Sequence, residues 1–398
     1  MGECVVLVTP EYPPYSTGGG GVVVRELAQR LRRRGYRVIV LSGLRGGSDS
    51  PGRVITLVED GIPVTFFPLI RLPGRLYHAR AFAPPTLLSA AYLLRRVLEF
   101  RSCIFHLHGY GHPLVDIVAS ILWLNRSPFI LTVHGIPKSP LYSGGLLSRL
   151  FYHLYMAASR VVLGKACSIT AVSRSLAVEA EGLFSRPVAA IPNGPPSLSE
   201  APPGSFKDKH SIPCNAKIIA CIGELHPRKG FHRAIKAMPS ILEEEPEAFL
   251  VIAGDGHFRR FLDSLSRRLG VSDRVLLVGR ISEAEKTLLL SEASVVLVPS
   301  LIEPFGLVVL EAALSGVPVV ASRVDGLGEM LRGYRFAVGR ADPALIASKI
   351  IELLRDPSAR DSAIRFLKTL LERLKWEDIV LSYEREYGRL AACRRETL

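Results

Sequence analysis

Short apolar runs of strand length alternate with helix-patterned stretches along nearly the whole chain, and this alternation restricts the fold more than any other feature. Segments 4–9, 37–41, 54–58, 64–67, 103–108, 129–133 and 168–172 read as one set of strands, and 217–223, 248–253, 274–278, 295–299 and 317–321 as a second. A strand–helix–strand rhythm needs crossover connections, and strands covered on both faces read as continuous Val, Ile and Leu. Parallel doubly wound sheets are therefore expected. Between the two sets lies a stretch, 192–213, holding Pro192, Pro195, Pro196, Pro202, Pro203 and Pro213, which reads as a hinge region rather than an element. A length of 398 residues with 48% hydrophobic content supports two cores. The expected domains are 1–190 and 191–375. The last helix repeats apolar residues at Trp376, Ile379, Val380, Tyr383 and Tyr387, a helical stripe.

Four stretches carry candidate chemistry. Glu303-Pro304-Phe305-Gly306-Leu307-Val308-Val309-Leu310-Glu311 follows an apolar strand and leads into a small-residue helix. One carboxylate is expected on the strand-to-helix loop and the other about two turns into the helix, with Pro304 in its first turn. Such a loop faces the ligand crevice of an open α/β sheet, and free N–H groups near Phe305 and Gly306 favour an anion. Gly223-Glu224-Leu225-His226-Pro227-Arg228-Lys229-Gly230 places adjacent cations at a strand end, where they can meet a diphosphate; an isolated Arg-Lys is more often a solvated turn. Pro13-Pro14-Tyr15-Ser16-Thr17-Gly18-Gly19-Gly20-Gly21 lies between the first strand and a helix expected over Val22 to Arg34. It is neither the dinucleotide fingerprint nor a P-loop, and a flexible turn is its plain alternative. His134 ends the strand Phe129 to Val133 and would face the crevice. His106, His108 and His112 have a spacing that could bind a metal, but no carboxylate or cysteine joins them.

With these stretches in this order, the chain resembles the retaining glycosyltransferases of family 4 over about residues 4–390. The resemblance implies the GT-B fold, α/β with two Rossmann-like doubly wound domains and a cleft between them. It implies a helix, 376–395, that crosses back onto the first domain. It implies transfer of a hexosyl-type sugar from a nucleoside-diphosphate sugar to an acceptor hydroxyl, the acceptor being lipid-linked, a polysaccharide or a small sugar.

Glu303 and Glu311 match the family's E-x7-E motif, Glu303 for sugar hydroxyls and Glu311 for the ribose. Gly18 and Gly19 match its Gly-Gly pair, Lys229 and Gly230 its Lys-Gly on the diphosphate, and His134 its histidine beside the reacting carbon. Catalytic roles are thus implied for His134, Glu303 and Lys229. Donor contacts are implied for Gly18, Gly19, Arg228, Lys229, Gly254, Arg280, Ile281, Glu303, Phe305, Gly306, Leu307 and Glu311, and an acceptor-side place for His108. Pro192-Asn193-Gly194 matches the hinge turn. No metal or cofactor is implied, and no Asp-x-Asp occurs in the sequence.

One position departs from the pattern. Glu224 stands where the family has an arginine on the diphosphate. Like charges about 4 Å apart repel by roughly 4 kcal/mol at an effective dielectric of 20, so Glu224 must turn away or pair with a cation, or donor binding is altered. Arg228 is expected to take over the contact. A catalytically silent sugar-nucleotide-binding protein and a sugar-nucleotide epimerase are the other readings.

The net charge of +13 is uneven. Residues 1–195 hold 21 Lys+Arg against 10 Asp+Glu, a balance of +11. An anionic membrane surface or phospholipid-type acceptor ranks first as a partner, a solvated basic face ranks level with it, and no nucleic-acid module is present. The stretch Leu141 to Ala166, with Arg149, Phe151, Tyr155, Arg160, Val161 and Lys165, reads as an interfacial helix or as a buried one with snorkelling bases. A start directly in a strand and the lack of a spanning apolar run lead to an expected cytoplasmic protein, peripheral on the inner membrane face if the lipid reading holds. Six scattered cysteines without a CxxC pair read as small buried apolar residues, with no disulfide framework. Three Asn and one Gln among 398 residues fit a thermophilic source.

Overall fold

In the computed structural model, residues 3–15, 18–44, 53–70, 85–137 and 146–397 are described. The chain divides into two compact units, Met1–Gly194 with Trp376–Leu398, and Pro195–Lys375.

The first unit is built on β1 (Cys4–Thr9), β2 (Arg37–Leu44), β3 (Ile55–Glu59), β4 (Ile62–Pro68), β5 (Ile104–His108), β6 (Phe129–Val133), β7 (Ser168–Ala171) and β8 (Ala189–Ala190). They form an eight-stranded sheet in the order β3-β4-β2-β1-β5-β6-β7-β8. Its helices are α1 (Gly19–Arg33), α2 (Leu87–Glu99), α3 (Pro113–Leu124), α4 (Leu146–Leu163) and α5 (Arg174–Phe184), joined by the chain's last helix. The central strands are buried along their length, as a sheet covered on both faces requires. The order runs outward in opposite directions from β1 and β5, so the carboxyl ends of these two strands flank a topological switch point, where such sheets place their ligands.

One strand breaks the expected all-parallel pattern. β3 runs antiparallel to β4. The turn between them is Asp60-Gly61, both with positive φ (48° and 71°), the conformation of a two-residue hairpin that an Asp-Gly pair favours. Helix α1 begins at Gly19, three residues before the expected start, because the glycines continue the helix instead of forming its loop.

The second unit comprises α6 (Phe206–Lys209), β9 (Lys217–Ile222), α7 (Phe231–Glu244), β10 (Ala248–Ala253), α8 (Arg259–Arg268), β11 (Val275–Gly279), α9 (Glu283–Glu292), β12 (Ala293–Val298), α10 (Leu307–Leu314), β13 (Val319–Ser322), α11 (Asp325–Met330), β14 (Ala337–Val338), α12 (Pro343–Arg355) and α13 (Pro357–Arg373). Its six strands lie parallel in the order β11-β10-β9-β12-β13-β14. The switch point falls between β9 and β12. Side-chain caps mark the helix starts: Ser282 and Glu285 make a capping box on α9, and Asp342 and Asp356 cap α12 and α13.

The final helix, α14 (Trp376–Thr397), belongs to the first unit. Trp376, Ile379, Val380, Tyr383, Tyr387 and Leu390 are buried along one stripe, packed on α1, β6 and β7. Each such side chain contributes about 1.5–3 kcal/mol by burial.

The cysteines correct the sequence reading. Cys4 is bonded to Cys103, and Cys167 to Cys393. The partners are 99 and 226 residues apart, so no short spacing announces them. The β1–β5 register aligns Val5 with Ile104, which sets Cys4 beside Cys103 one residue earlier. The second bridge pins α14 to the start of β7. Cys221 is free and buried, and Cys214 is free and exposed rather than buried.

Candidate functional site

In the second unit the loops that follow β9 and β12 meet at the switch point. Pro227–Lys229 forms a 3-10 turn whose first N–H groups are capped by His226: its Nδ1 accepts from Arg228 N–H at 3.2 Å. Gly230 closes the turn at φ 69°, and any Cβ there would strike the carbonyl of Pro299. Leu301 N–H donates to Arg228 O at 2.7 Å. The close approach of the two backbones aims Lys229 across the gap. Its Nζ donates to Glu303 Oε2 at 2.6 Å, and Ser300 Oγ donates to the same oxygen at 3.0 Å. The Glu303 N–H donates to Asp325 Oδ2 at 2.9 Å, which fixes the carboxylate's own backbone.

Glu303 is only 7% exposed. Burial alone would raise its pKa, but the Lys229 ammonium at contact distance, with Arg228 and Ser300 assisting, holds it below the ordinary carboxylate value. Glu311 heads a second, separate pair. Lys286 Nζ donates to Glu311 Oε1 at 2.7 Å and meets Glu283 at 2.7 Å. Burial pushes Lys286 down, and its two carboxylate partners more than reverse this, so its pKa is raised.

Two local expectations are corrected here. Gly306, with φ 99°, is the N-cap of α10, so Pro304 precedes the helix instead of opening it. Glu311 is the fifth residue of α10, little more than one turn in. Phe305 is buried, Leu307 begins the helix, and the first N–H groups of α10 point at the loop. Gly254 and Gly279 end β10 and β11 on the same edge of the sheet, with Gly254 N–H donating to Gly279 O at 2.7 Å. A Cβ on Gly254 would overlap the carbonyl of Gly223. Arg280 is exposed and Ile281 half-buried beside them. Glu224 turns to Arg228 at 3.6 Å, both groups partly in solvent.

In the first unit His106 and His108 are buried and His134 is half-buried, the three forming a layer at the carboxyl ends of β5 and β6. His106 Nδ1 meets Tyr387 Oη at 2.9 Å and His106 Nε2 meets Thr132 Oγ1 at 2.7 Å, with Thr170 Oγ1 a further 2.7 Å on. The His106 and His108 rings lie 4.1 Å apart, and His108 Nδ1 is 3.1 Å from His134 Nε2. Burial is the leading cause of every shift here. It lowers His106 to about 3 and His134 to about 4, and takes His108 well below the free value; for His134, Glu11 opposes the fall and His112 adds to it. All three rings are neutral at neutral pH.

His108 is 1% exposed and enclosed by protein. His112 is the N-cap of α3 and acts on His134, and no group of three or more residues placed to hold a metal ion occurs among the described residues. Gly18 is the N-cap of α1 and Gly19 its first residue; a Cβ on Gly18 would overlap the Glu11 carboxylate. Ser16 and Thr17 of the glycine loop lie outside the described residues.

Sequence reasoning missed Lys286, Ser300, Asp325, Glu11 and Tyr387. Lys286 carries no signal in the sequence, since an i,i+3 spacing from Glu283 does not set it apart from an ordinary surface pair. Ser300 beside Pro299, at a strand end facing the crevice, was the signal left unused.

A family model described as glycosyltransferase family 4 matches residues 17–195, and one described as glycosyl transferases group 1 matches residues 204–368. An uncharacterised glycosyltransferase of Methanocaldococcus jannaschii is 29% identical over 395 residues, covering 94% of this chain and 95% of that protein. Among solved structures, sucrose-phosphate synthase of Thermosynechococcus elongatus matches with a TM-score of 0.74 at 21% identity, covering 98% of this chain and 99% of that one. The Anabaena protein HepE, solved with UDP and glucose, matches with a TM-score of 0.71 at 18% identity, covering 97% of this chain and 99% of that one.

Proposed function

Since the chain belongs to glycosyltransferase family 4 and has the GT-B fold, we propose that it is a retaining enzyme that moves a hexosyl-type sugar from a nucleoside-diphosphate sugar to an acceptor hydroxyl. The observation that carries this is the Lys229–Glu303 pair, 2.6 Å apart at the switch point of the second unit with its carboxylate buried. A carboxylate so held accepts hydrogen bonds from sugar hydroxyls. The ammonium beside it meets the charge that develops on the diphosphate as the anomeric C–O bond breaks and its electron pair passes to the leaving group.

Glu311, oriented by Lys286, takes the ribose hydroxyls. Arg228 and the amides near Phe305, Gly306 and Leu307 share the diphosphate, and Gly254, Arg280 and Ile281 line the nucleotide. Gly18, Gly19 and His134 are assigned as donor contacts on the family pattern alone. Glu303 and Glu311 are binding groups on this reading, and no nucleophile is assigned. The bound UDP and glucose of HepE support a nucleotide-sugar donor. No metal is required where cations and amides already meet the diphosphate.

The test is a thermal-shift screen across UDP, GDP and ADP sugars, followed by detection of free nucleoside diphosphate with acceptor extracts present. One class should stabilise the protein and be turned over. No shift with any donor overturns the proposal, and binding without release favours the silent binder.

The acceptor side, on the same reading, meets an anionic lipid surface. Leu87, Leu88 and Leu94 of α2, Trp123 and Leu124 of α3, and Leu150, Phe151, Leu154 and Val161 of α4 are exposed, and α3 packs against both α2 and α4. Arg149, Arg160 and Lys165 are exposed beside them. No helix among the described residues is long and apolar enough to cross a membrane. Apolar side chains ringed by bases suit the interface of an anionic bilayer. Co-sedimentation with anionic vesicles should weaken in high salt, and equal binding to neutral vesicles would remove the charge argument.

A further inference from the structure

We infer that His108 is the positioning residue that fixes which nitrogen of His134 carries the proton, so that His134 presents an N–H donor, and not a lone pair, to the donor sugar. The inference rests on the proposed function for its consequence in turnover, and on the geometry of two neutral rings for the tautomer.

His108 is paired with Thr132 in the β5–β6 register, and His134 follows Thr132 by two residues, so side chains at these positions share one face of the sheet. The contact they make is His108 Nδ1 to His134 Nε2, 3.1 Å. Both rings are neutral, so one proton lies in this contact. Two arrangements satisfy it. If His134 donates, its Nδ1 is bare and His108 must carry its own proton on Nε2. If His108 donates from Nδ1, its Nε2 is bare and His134 carries its proton on Nδ1.

The two differ at His108 Nε2, which is buried with no hydrogen-bond partner. The first arrangement strands an N–H donor there. Orphaned buried N–H groups are rare in native proteins, an unsatisfied acceptor less so, and an unmade bond of this kind costs about 1–3 kcal/mol. The second arrangement leaves only a lone pair and is preferred. His134 Nδ1 then bears the proton. That nitrogen has no hydrogen-bond partner among the described residues, and the residue is only half-buried, so the N–H is available to a ligand oxygen.

The layer beneath makes the choice rigid. His106 lies 4.1 Å from the His108 ring and is itself held at both nitrogens, by Tyr387 of α14 and by Thr132. His108 therefore has little freedom to turn its unpaired nitrogen toward another partner. A neutral N–H donor also suits the reaction. It holds a sugar oxygen without setting a second positive charge beside an anomeric carbon that becomes electron-poor.

The test has two arms. The 15N ring shifts of His134 in the donor-free protein read the tautomer directly, with no activity needed; the proton should be on Nδ1. In the second arm, His108→Leu cannot donate, whereas His108→Asn places an amide N–H where Nδ1 was. His108→Leu should lower kcat about 10- to 100-fold with donor KM little changed, as displaced positioning groups do, and His108→Asn should recover most of the loss and keep the His134 proton on Nδ1. A proton on His134 Nε2 in the unsubstituted protein overturns the inference outright, whether or not either variant folds. Asn behaving no better than Leu, with the fold retained, also overturns it. If the tautomer is as stated but no nucleotide sugar is turned over, the fault lies with the proposed function.

Discussion

The Lys229–Glu303 pair and the His106–His108–His134 layer both put polar groups under apolar cover at a sheet's carboxyl edge, and they do so by opposite means. In the second unit the charges stay and are matched: Lys229 with Glu303, Lys286 with Glu311 and Glu283. In the first unit burial removes the charge, and neutral rings are satisfied by Tyr387, Thr132 and one another. The difference follows from the residue types. The ammonium contact outweighs burial at Glu303, and the carboxylate contacts outweigh it at Lys286, so these two groups keep their charge. Protonating the stacked histidines costs burial and mutual repulsion, which the Glu11 carboxylate near His134 offsets only in part. On the proposed function, one site suits an anion and its hydroxyls, and the other an electron-poor carbon.

The largest effect should come from breaking the pair. Lys229→Met leaves Glu303 buried without its cation, at a cost of about 3–5 kcal/mol of stability. It also removes a leaving-group contact, for about 10²–10³ in kcat. Adding Glu303→Gln should restore most of the stability and none of the turnover. Denaturant midpoints and nucleoside diphosphate release read the two separately. If the single variant is as stable as the parent, the pair is not the matched buried contact described here.

Acid should separate the two regions next. A histidine whose folded pKa lies below its unfolded value contributes stability that is complete above about pH 6.5. That contribution is lost as the pH falls toward the folded values, about 4 for His134 and about 3 for His106. The slope is about 1.4 kcal/mol per pH unit for each histidine. Glu303 is also lowered, but as a carboxylate its contribution is complete above about pH 4.5 and is lost only below that. Between pH 6.5 and 4.5, hydrogen exchange should therefore loosen β5 and β6 while β9 and β12 hold. Equal loosening of both sheets would erase the distinction.

The same contrast explains how far the sequence could be read. The core strands of both sheets were legible because a strand covered on both faces has almost no choice but Val, Ile and Leu. The edge strands β8 and β14, two residues each, carry no such pattern. The reversal of β3 was written in Asp60-Gly61, a hairpin signal that the surrounding parallel rhythm masked. The charged contact was half legible, since Glu303, Glu311, Arg228 and Lys229 sit in recognisable spacings. Lys286 was not, because its partner Glu311 lies on another helix 25 residues away and its visible neighbour, Glu283, offers a sufficient surface explanation. The histidine layer was visible as residues but not as a network. Its anchor, Tyr387, is 281 residues from His106 and reaches it only because α14 returns to the first unit. The Cys167–Cys393 bridge was invisible for the same reason, and the Cys4–Cys103 bridge because 99 residues separate two neighbouring strands.

Glu224 gives the smallest expected effect and sharpens the comparison most. It brings an unneeded negative charge to the one region where charges are otherwise matched. Its contact with Arg228 is 3.6 Å with both side chains about a third to a half exposed, and such a pair contributes at most about 1 kcal/mol. A diphosphate, with more charge and more acceptor oxygens than one carboxylate, should draw Arg228 away. Arg228→Ala is then expected to weaken nucleotide diphosphate binding about tenfold, some 1.4 kcal/mol. Glu224→Gln should strengthen it about two- to fivefold at low salt, and the gain should fade as ionic strength shortens the screening length to about 8 Å and below. Calorimetric titration at two salt concentrations measures both. Should Glu224→Gln weaken binding instead, the carboxylate is itself a ligand contact, Arg228 serves to orient it, and the assignment of the two residues reverses.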